Sequence, residues 1–120
     1  MTLPLELLNA HSSNQTEAMD DAAIQRHLSM LEGWTLENGR IIKQFDFKNY
    51  YRTLAFVNSI AYVIHEEDHH PDLLIGYSRC TVQYHTHSVN QGHGGLSIND
   101  FICAAKIDAL FRQTHAPKSV

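Results

Sequence analysis

Ile24, Leu28 and Leu31 recur at helical spacing behind Asp20 and Asp21, whose charges suit a helix N-terminus, and Gly33 supplies a stop. Trp34-Thr-Leu-Glu, Asn38-Gly39 and Arg40-Ile-Ile-Lys-Gln-Phe-Asp-Phe47 then read as a hairpin, because Asn-Gly provides the positive φ angles of a type I′ turn. From Tyr50 to His65 the period returns to helical, with Leu54, Val57, Ala61 and Ile64 on one stripe. Leu73–Tyr77 and Arg79–His87 read as two further strands around Gly76-Tyr77-Ser78. In the second, Cys80, Val82, Tyr84 and Thr86 share one face, and Thr81, Gln83, His85 and His87 the other. Gln91–Gly95 reads as a flexible loop. Ser97-Ile-Asn-Asp100 then resembles a capping box for a final helix carrying Ile98, Ile102, Ala105 and Ala109.

The predicted order is therefore α-β-β-α-β-β-α. Hairpins rather than βαβ crossovers imply an α+β fold, a four-stranded antiparallel sheet with three helices packed on one face. Residues 18–116 make a single domain. Residues 1–17, polar from Asn9 to Thr16 after a Leu-rich start, read as a flexible N-terminal arm.

Composition narrows the function classes. A net charge of −4, with Lys and Arg scattered, leaves no basic footprint for nucleic acid or an acidic membrane. No stretch approaches the roughly 20 apolar residues of a membrane helix, and the N-terminus lacks the pattern of a signal peptide. The cysteines, Cys80 and Cys103, form no metal motif or disulfide framework, which predicts a reduced, cytoplasmic setting. Histidine is the departure: there are 9 in the chain, and His65, His69, His70, His85 and His87 fall within one short stretch.

His65-Glu66-Glu67-Asp68-His69 matches HExxH literally. A zinc-protease site needs both histidines on one continuous helix and a third ligand. Pro71 follows His69 too closely for that helix to continue, and no glutamate occurs downstream of it. The histidines at 65, 69, 85, 87 and 93 would also suit a simpler zinc or copper site. The reading adopted is an acid–base site with no metal, because imidazoles titrate near neutral pH and donate or accept protons there. Pro71 sets His70 outside the helix, so His69 and His70 lie at its end. Taken singly, these histidines would do as polar helix-terminus residues, Asp100 as the capping partner of Ser97, and His85 as a solvated strand residue.

Together the residues resemble the pterin-4a-carbinolamine dehydratase family, also known as the dimerisation-cofactor family. The resemblance runs from Leu31-Glu-Gly-Trp34 through Phe45-x-Phe47, Asp68-His-His-Pro71 and Thr86-His87 to Gly94-Gly-Leu-Ser97, Asp100-Phe101, Ala104 and Asp108. It implies that His69, His70 and His87 are the catalytic histidines, with Asp100 orienting. His65, Asp68, Pro71, Thr86 and Ser88 would line or frame the substrate. The implied reaction dehydrates a 4a-hydroxytetrahydropterin to a quinonoid dihydropterin without metal or cofactor, recycling the cofactor of an aromatic amino-acid hydroxylase. A homodimer or homotetramer is implied as well.

Two features depart from the family pattern: His65 stands where well-known members carry a substrate-contacting glutamate, and the segment Ser88–Gly95 is longer than usual. Two rival readings share the fold. One is a non-catalytic dimerisation or partner-stabilising protein, and the other a pterin-handling role linked to molybdopterin metabolism.

Overall fold

The computed structural model describes residues 5–115. A short helix, α1 (Leu5–Asn9), precedes an extended segment and α2 (Asp21–Leu28), whose first turn is capped where the Asp20 carboxylate accepts the Ala23 N–H at 2.8 Å. The helix stops at Leu28 rather than continuing to Gly33. Ser29 Oγ donates to the Arg26 carbonyl, a local bond that competes with the helical ladder, and the chain leaves through a tight turn. Strands β1 (Thr35–Glu37) and β2 (Arg40–Asp46) form the expected hairpin, with Asn38 and Gly39 at φ of 51° and 75°.

Helix α3 (Tyr50–Glu67) starts at Asn49, whose side chain caps Arg52 N, and ends where Asp68 turns left-handed at φ 48°. Strands β3 (Asp72–Ile75) and β4 (Arg79–Tyr84) follow, then a 3-10 turn at Asn90–Gly92. Helix α4 (Ile98–Leu110) runs into a π-helical turn at Phe111–His115. The strands lie in the order β1-β2-β4-β3, every pair antiparallel. This is the expected α-β-β-α-β-β-α sheet with helices flanking it, preceded by α1, which the sequence pattern does not predict.

The register explains why the helices take one face. Ile41, Lys43 and Phe45 pair with Tyr84, Val82 and Cys80, so that all six side chains point the same way. Phe45 packs at 4.8 Å from Phe56 of α3 and 5.0 Å from Phe111, measured between ring centroids. Burying each such ring contributes about 1.5–3 kcal/mol. On the other face Gln44, Thr81, Leu74 and Gln83 are exposed or half-buried. The sheet is apolar on one side only, and the helices cover that side.

Strand β4 ends at Tyr84, short of the expected His87. Its partners give out there: Tyr84 pairs with Ile41 next to the β2 turn, and β3 begins only after Pro71, which has no N–H to extend the ladder. His85 and His87 therefore leave the sheet. Thr86 forms an isolated bridge with Gly95, with N–H···O distances of 2.8 and 3.2 Å. A side chain at Gly95 would stand 3.2 Å from Ala18 Cβ, so glycine there allows the N-terminal segment to pass close by.

The expected mobile arm is placed against the domain over its described part. Leu7 is buried in the core, and Ser13 N–H donates to Asn99 Oδ1 at 3.1 Å.

Candidate active site

Three chain segments converge beside the C-terminal end of α3: the Asp68–His70 turn, residues 85–88 after β4, and the first turn of α4. Asp68 ends α3 in a left-handed conformation, a geometry that aspartate tolerates better than most residues. The turn brings His69 against β4. There its ring stacks on Tyr84 at 5.2 Å and 13° between planes. The Tyr84 phenol reaches the His69 carbonyl at 3.4 Å, and burial drives its pKa far above the ordinary tyrosine value, so it remains a neutral donor.

His69 Nε2 lies 2.6 Å from Asp100 Oδ1. Asp100 is fully buried, and its second oxygen accepts Thr86 Oγ at 2.8 Å and Ser97 N–H at 3.0 Å. Ser97 Oγ in turn lies 2.7 Å from Thr86 Oγ. The capping box of α4 is present, and the same carboxylate that closes it also holds the histidine. A carboxylate can only accept here, so the geometry calls for the N–H at Nε2 to donate to Asp100, which leaves Nδ1 as the nitrogen without a protein partner.

The cleft beside this pair encloses about 500 Å³. His69, His70, His85 and His87 line it, with Asp68, Thr86 and Ser88. The rings of His85 and His87 meet edge to face at 4.3 Å. Burial, with the charges of Arg40 and His87 nearby, lowers the His85 pKa and favours its neutral form.

Of the residues expected at the site, His69, His70, His87, Asp68, Thr86 and Ser88 line the cleft, and Asp100 sits behind it. His65 and Pro71 are not among the lining residues: His65 is exposed on the last turns of α3, and Pro71 precedes β3. Since α3 ends at Glu67, the HExxH histidines do not share a helix. Of the Ser88–Gly95 segment only Ser88 reaches the cleft, and Val89 is buried in the domain. Among the described residues no three His, Cys, Asp or Glu side chains are arranged so that they could hold a metal ion.

A family model described as pterin 4 alpha carbinolamine dehydratase matches residues 17–110. The chain belongs to this family. A relative from Bdellovibrio bacteriovorus, provisionally named a pterin-4-alpha-carbinolamine dehydratase, is 55% identical over 114 residues, 95% of each chain. One of the same provisional name from Nitrosospira multiformis is 54% identical over 89 residues, 74% of this chain and 75% of its own. Among solved structures, a transcriptional coactivator/pterin dehydratase from Brucella melitensis superposes with a TM-score of 0.71 at 26% identity, covering 78% of this chain and 98% of its own.

Family membership takes in every histidine of the cleft but leaves one wall outside the matched span. Ser12, Ser13, Asn14 and Gln15 line the cleft as well, and sequence reasoning does not anticipate them. Nor does it anticipate Glu67 or Asn99, and it reads His85 as a solvated strand residue rather than part of an acid–base site. For His85 a signal exists, since strand alternation puts it on the face of His87. The other contacts join residues far apart in sequence, which no local pattern reports.

Glu67 anchors that wall. Its side chain is 3% exposed and accepts Lys106 Nζ at 2.7 Å and Ser12 N–H at 2.8 Å, with His11 Nδ1 at 3.1 Å. Burial opposes its charge, but Lys106, the Ser12 N–H and His11 outweigh it and hold the carboxyl below the usual glutamate range.

Proposed function

We propose that this chain removes water from a 4a-hydroxytetrahydropterin, as a hydro-lyase of its family, through histidine acid–base catalysis in this cleft. The elimination needs a proton on the departing 4a-hydroxyl as the C4a–O bond breaks. It also needs a base for the N5 proton as the C4a=N5 double bond forms. Water and a quinonoid dihydropterin result, with no electron passing to or from a carrier.

The observation that carries the assignment of roles is the His69–Asp100 pair. A buried carboxylate with two further donors holds the ring rigidly, and rigid placement is what makes proton transfer efficient. His69 is the principal acid/base, working through Nδ1. His87 completes the proton transfer, and His70 holds the pterin, with Asp68, Thr86 and Ser88 framing it. His85, held towards its neutral form, offers the substrate a hydrogen bond. His65, which departs from the family pattern, takes no direct part.

The substrate would come from an aromatic amino-acid hydroxylase, whose spent cofactor it is, and the quinonoid product would serve that enzyme again only after a separate two-electron reduction. Two free buried cysteines and the absence of a membrane-length apolar helix among the described residues fit a cytoplasmic setting. A homodimer or homotetramer is favoured by the unpaired edge strand β3, where Leu74 is 63% and Ile75 40% exposed beside Tyr77 at 68%. Light scattering should return a multiple of 13.7 kDa that falls to the monomer in Leu74→Lys.

The reaction itself is tested with chelator-treated protein and substrate generated in situ by a phenylalanine hydroxylase. Disappearance of the 4a-hydroxy species is followed by ultraviolet absorbance. The wild type should accelerate it well above spontaneous decay, and His87→Ala should lose about 10²–10⁴ in rate with its circular dichroism intact. A wild type no faster than spontaneous decay would refute the assignment.

A further inference from the structure

The N-terminal segment outside the family-matched span is built into the cleft. The backbone of residues 12–15 is fastened at three places by three different parts of the fold. Glu67, at the end of α3, accepts the Ser12 N–H at 2.8 Å, and its carbonyl accepts the Ser12 hydroxyl. Asn99, in the first turn of α4, clamps Ser13 from both sides: Ser13 N–H donates to Asn99 Oδ1 at 3.1 Å and Asn99 Nδ2 to the Ser13 carbonyl at 2.7 Å. Ser88, after β4, donates its hydroxyl to the Gln15 carbonyl at 2.6 Å.

These anchors hold the backbone and leave the side chains of Asn14 and Gln15 in the cleft wall. Asn14 is exposed, and Gln15 Nε2 bonds only within the segment, to Ser13 Oγ at 3.0 Å. A surface arm needs no such fastening. A wall of the cleft that has to keep its place does.

The chemistry of this wall is specific. Residues 12–15 carry hydroxyls and amides but no charge, and no Lys or Arg lines the cleft, while Glu67 and Asp68 do. Such surroundings offer a substituent hydrogen bonds without the fixed cation of a Lys or Arg. The histidines serve the ring atoms that change bonding, so a separate uncharged wall is free to read a substituent on that ring.

We propose that Asn14 and Gln15, held by Glu67, Asn99 and Ser88, form a subsite for a neutral, hydroxylated side chain on the substrate pterin. The inference rests on the pterin reading above. It assigns the specificity of the site to a segment that lies outside the residues matched by the family model.

The test compares wild type with the double variant Asn14→Ala/Gln15→Ala, which leaves all three backbone anchors in place. Two substrates are used: a 4a-hydroxytetrahydropterin with a dihydroxypropyl chain at C6 and one with a methyl group there. The variant should raise KM about tenfold for the hydroxylated substrate, since hydroxyl hydrogen bonds of ordinary strength are lost, with kcat within about twofold. KM for the methyl substrate should change by less than about twofold. Equal effects on the two substrates, or no effect on either, would overturn the subsite.

If the wild type turns over neither substrate, the dehydratase reading has failed and binding decides the subsite. Fluorescence titration with 7,8-dihydrobiopterin and 6-methyl-7,8-dihydropterin should then show the variant weakened about tenfold for the first and unchanged for the second. Equal affinities in wild type and variant would overturn it there too.

Discussion

Asp100 binds His69 through one carboxylate oxygen and closes the cap of α4 through the other, so the placement of the imidazole and the start of a helix depend on one buried side chain. The two oxygens are not interchangeable. Oδ1 meets the imidazole at 2.6 Å, and Oδ2 takes the Thr86 hydroxyl and the Ser97 amide. Disturbing the Oδ2 side therefore reaches the imidazole through a rigid carboxylate.

Thr86→Val tests that transmission without touching the histidine. The substitution is close to isosteric but leaves Asp100 short of a donor in a fully buried position. Stability should fall by about 1–3 kcal/mol in denaturant titration. Turnover should fall about tenfold as the carboxylate shifts, a smaller loss than removal of a whole acid–base group.

Ring burial at His85 gives the fold a pH dependence of known sign. Its folded pKa is lowered, mainly by burial and then by the charges of Arg40 and His87, against weaker opposition from Asp100 and Asp72. The unfolded state thus binds the proton more readily. The stability contribution is fully present above the ordinary histidine pKa of about 6.5 and is lost as pH falls through the folded value. His115, lowered by burial, adds in the same direction. Melting temperature should drop between about pH 7 and pH 5, and His85→Gln should flatten that drop.

Much of this arrangement is legible in the chain. Asn38-Gly39 specifies the hairpin, Ser97 and Asp100 the cap, and Pro71 both the end of α3 and the late start of β3. Each is a local rule that the surrounding structure does not override. His69, His70 and His87 could be picked out because their spacing matches a family pattern. The second bond of Asp100 could not, since a capping aspartate and a histidine anchor look alike in sequence. Residues 12–15 were hidden for another reason: a polar stretch without periodicity looks mobile, and its order in the fold comes from Glu67, Ser88 and Asn99, distant along the chain. Leu7 and α1 escaped in the same way, the run being too short to declare itself.

Both cysteines should be silent in the native protein. Burial pushes the Cys80 thiol up to about 11 and Cys103 up to about 12, and neither side chain is exposed. An aromatic disulfide reagent at pH 8 should label neither in the folded state and both in denaturant. Rapid native labelling of either would place a thiol where this packing does not.

Lys43 and Asp108 form a largely buried pair at 2.9 Å, and Trp34 Nε1 donates to the second carboxylate oxygen at 2.9 Å. Burial raises the Asp108 pKa despite Lys43 and Trp34, so the pair resists ionisation more than it rewards it. Lys43→Met would strand the carboxylate, and stability should fall by about 3–5 kcal/mol at neutral pH. Lys43→Met/Asp108→Leu, which removes both charges, should recover most of the loss. Failure of that recovery would mean that the pair matters through more than its charge.

The central claim is that His69 does the proton transfer and that Asp100 acts through it. The most direct measurement is a double-mutant cycle on kcat/KM for a 4a-hydroxytetrahydropterin, using wild type, His69→Ala, Asp100→Asn and the double variant. His69→Ala should lose about 10²–10⁴, Asp100→Asn a large part of that, and the double variant no more than His69→Ala alone. Losses that simply multiply in the double variant, or a His69→Ala enzyme that keeps its activity, would contradict the account.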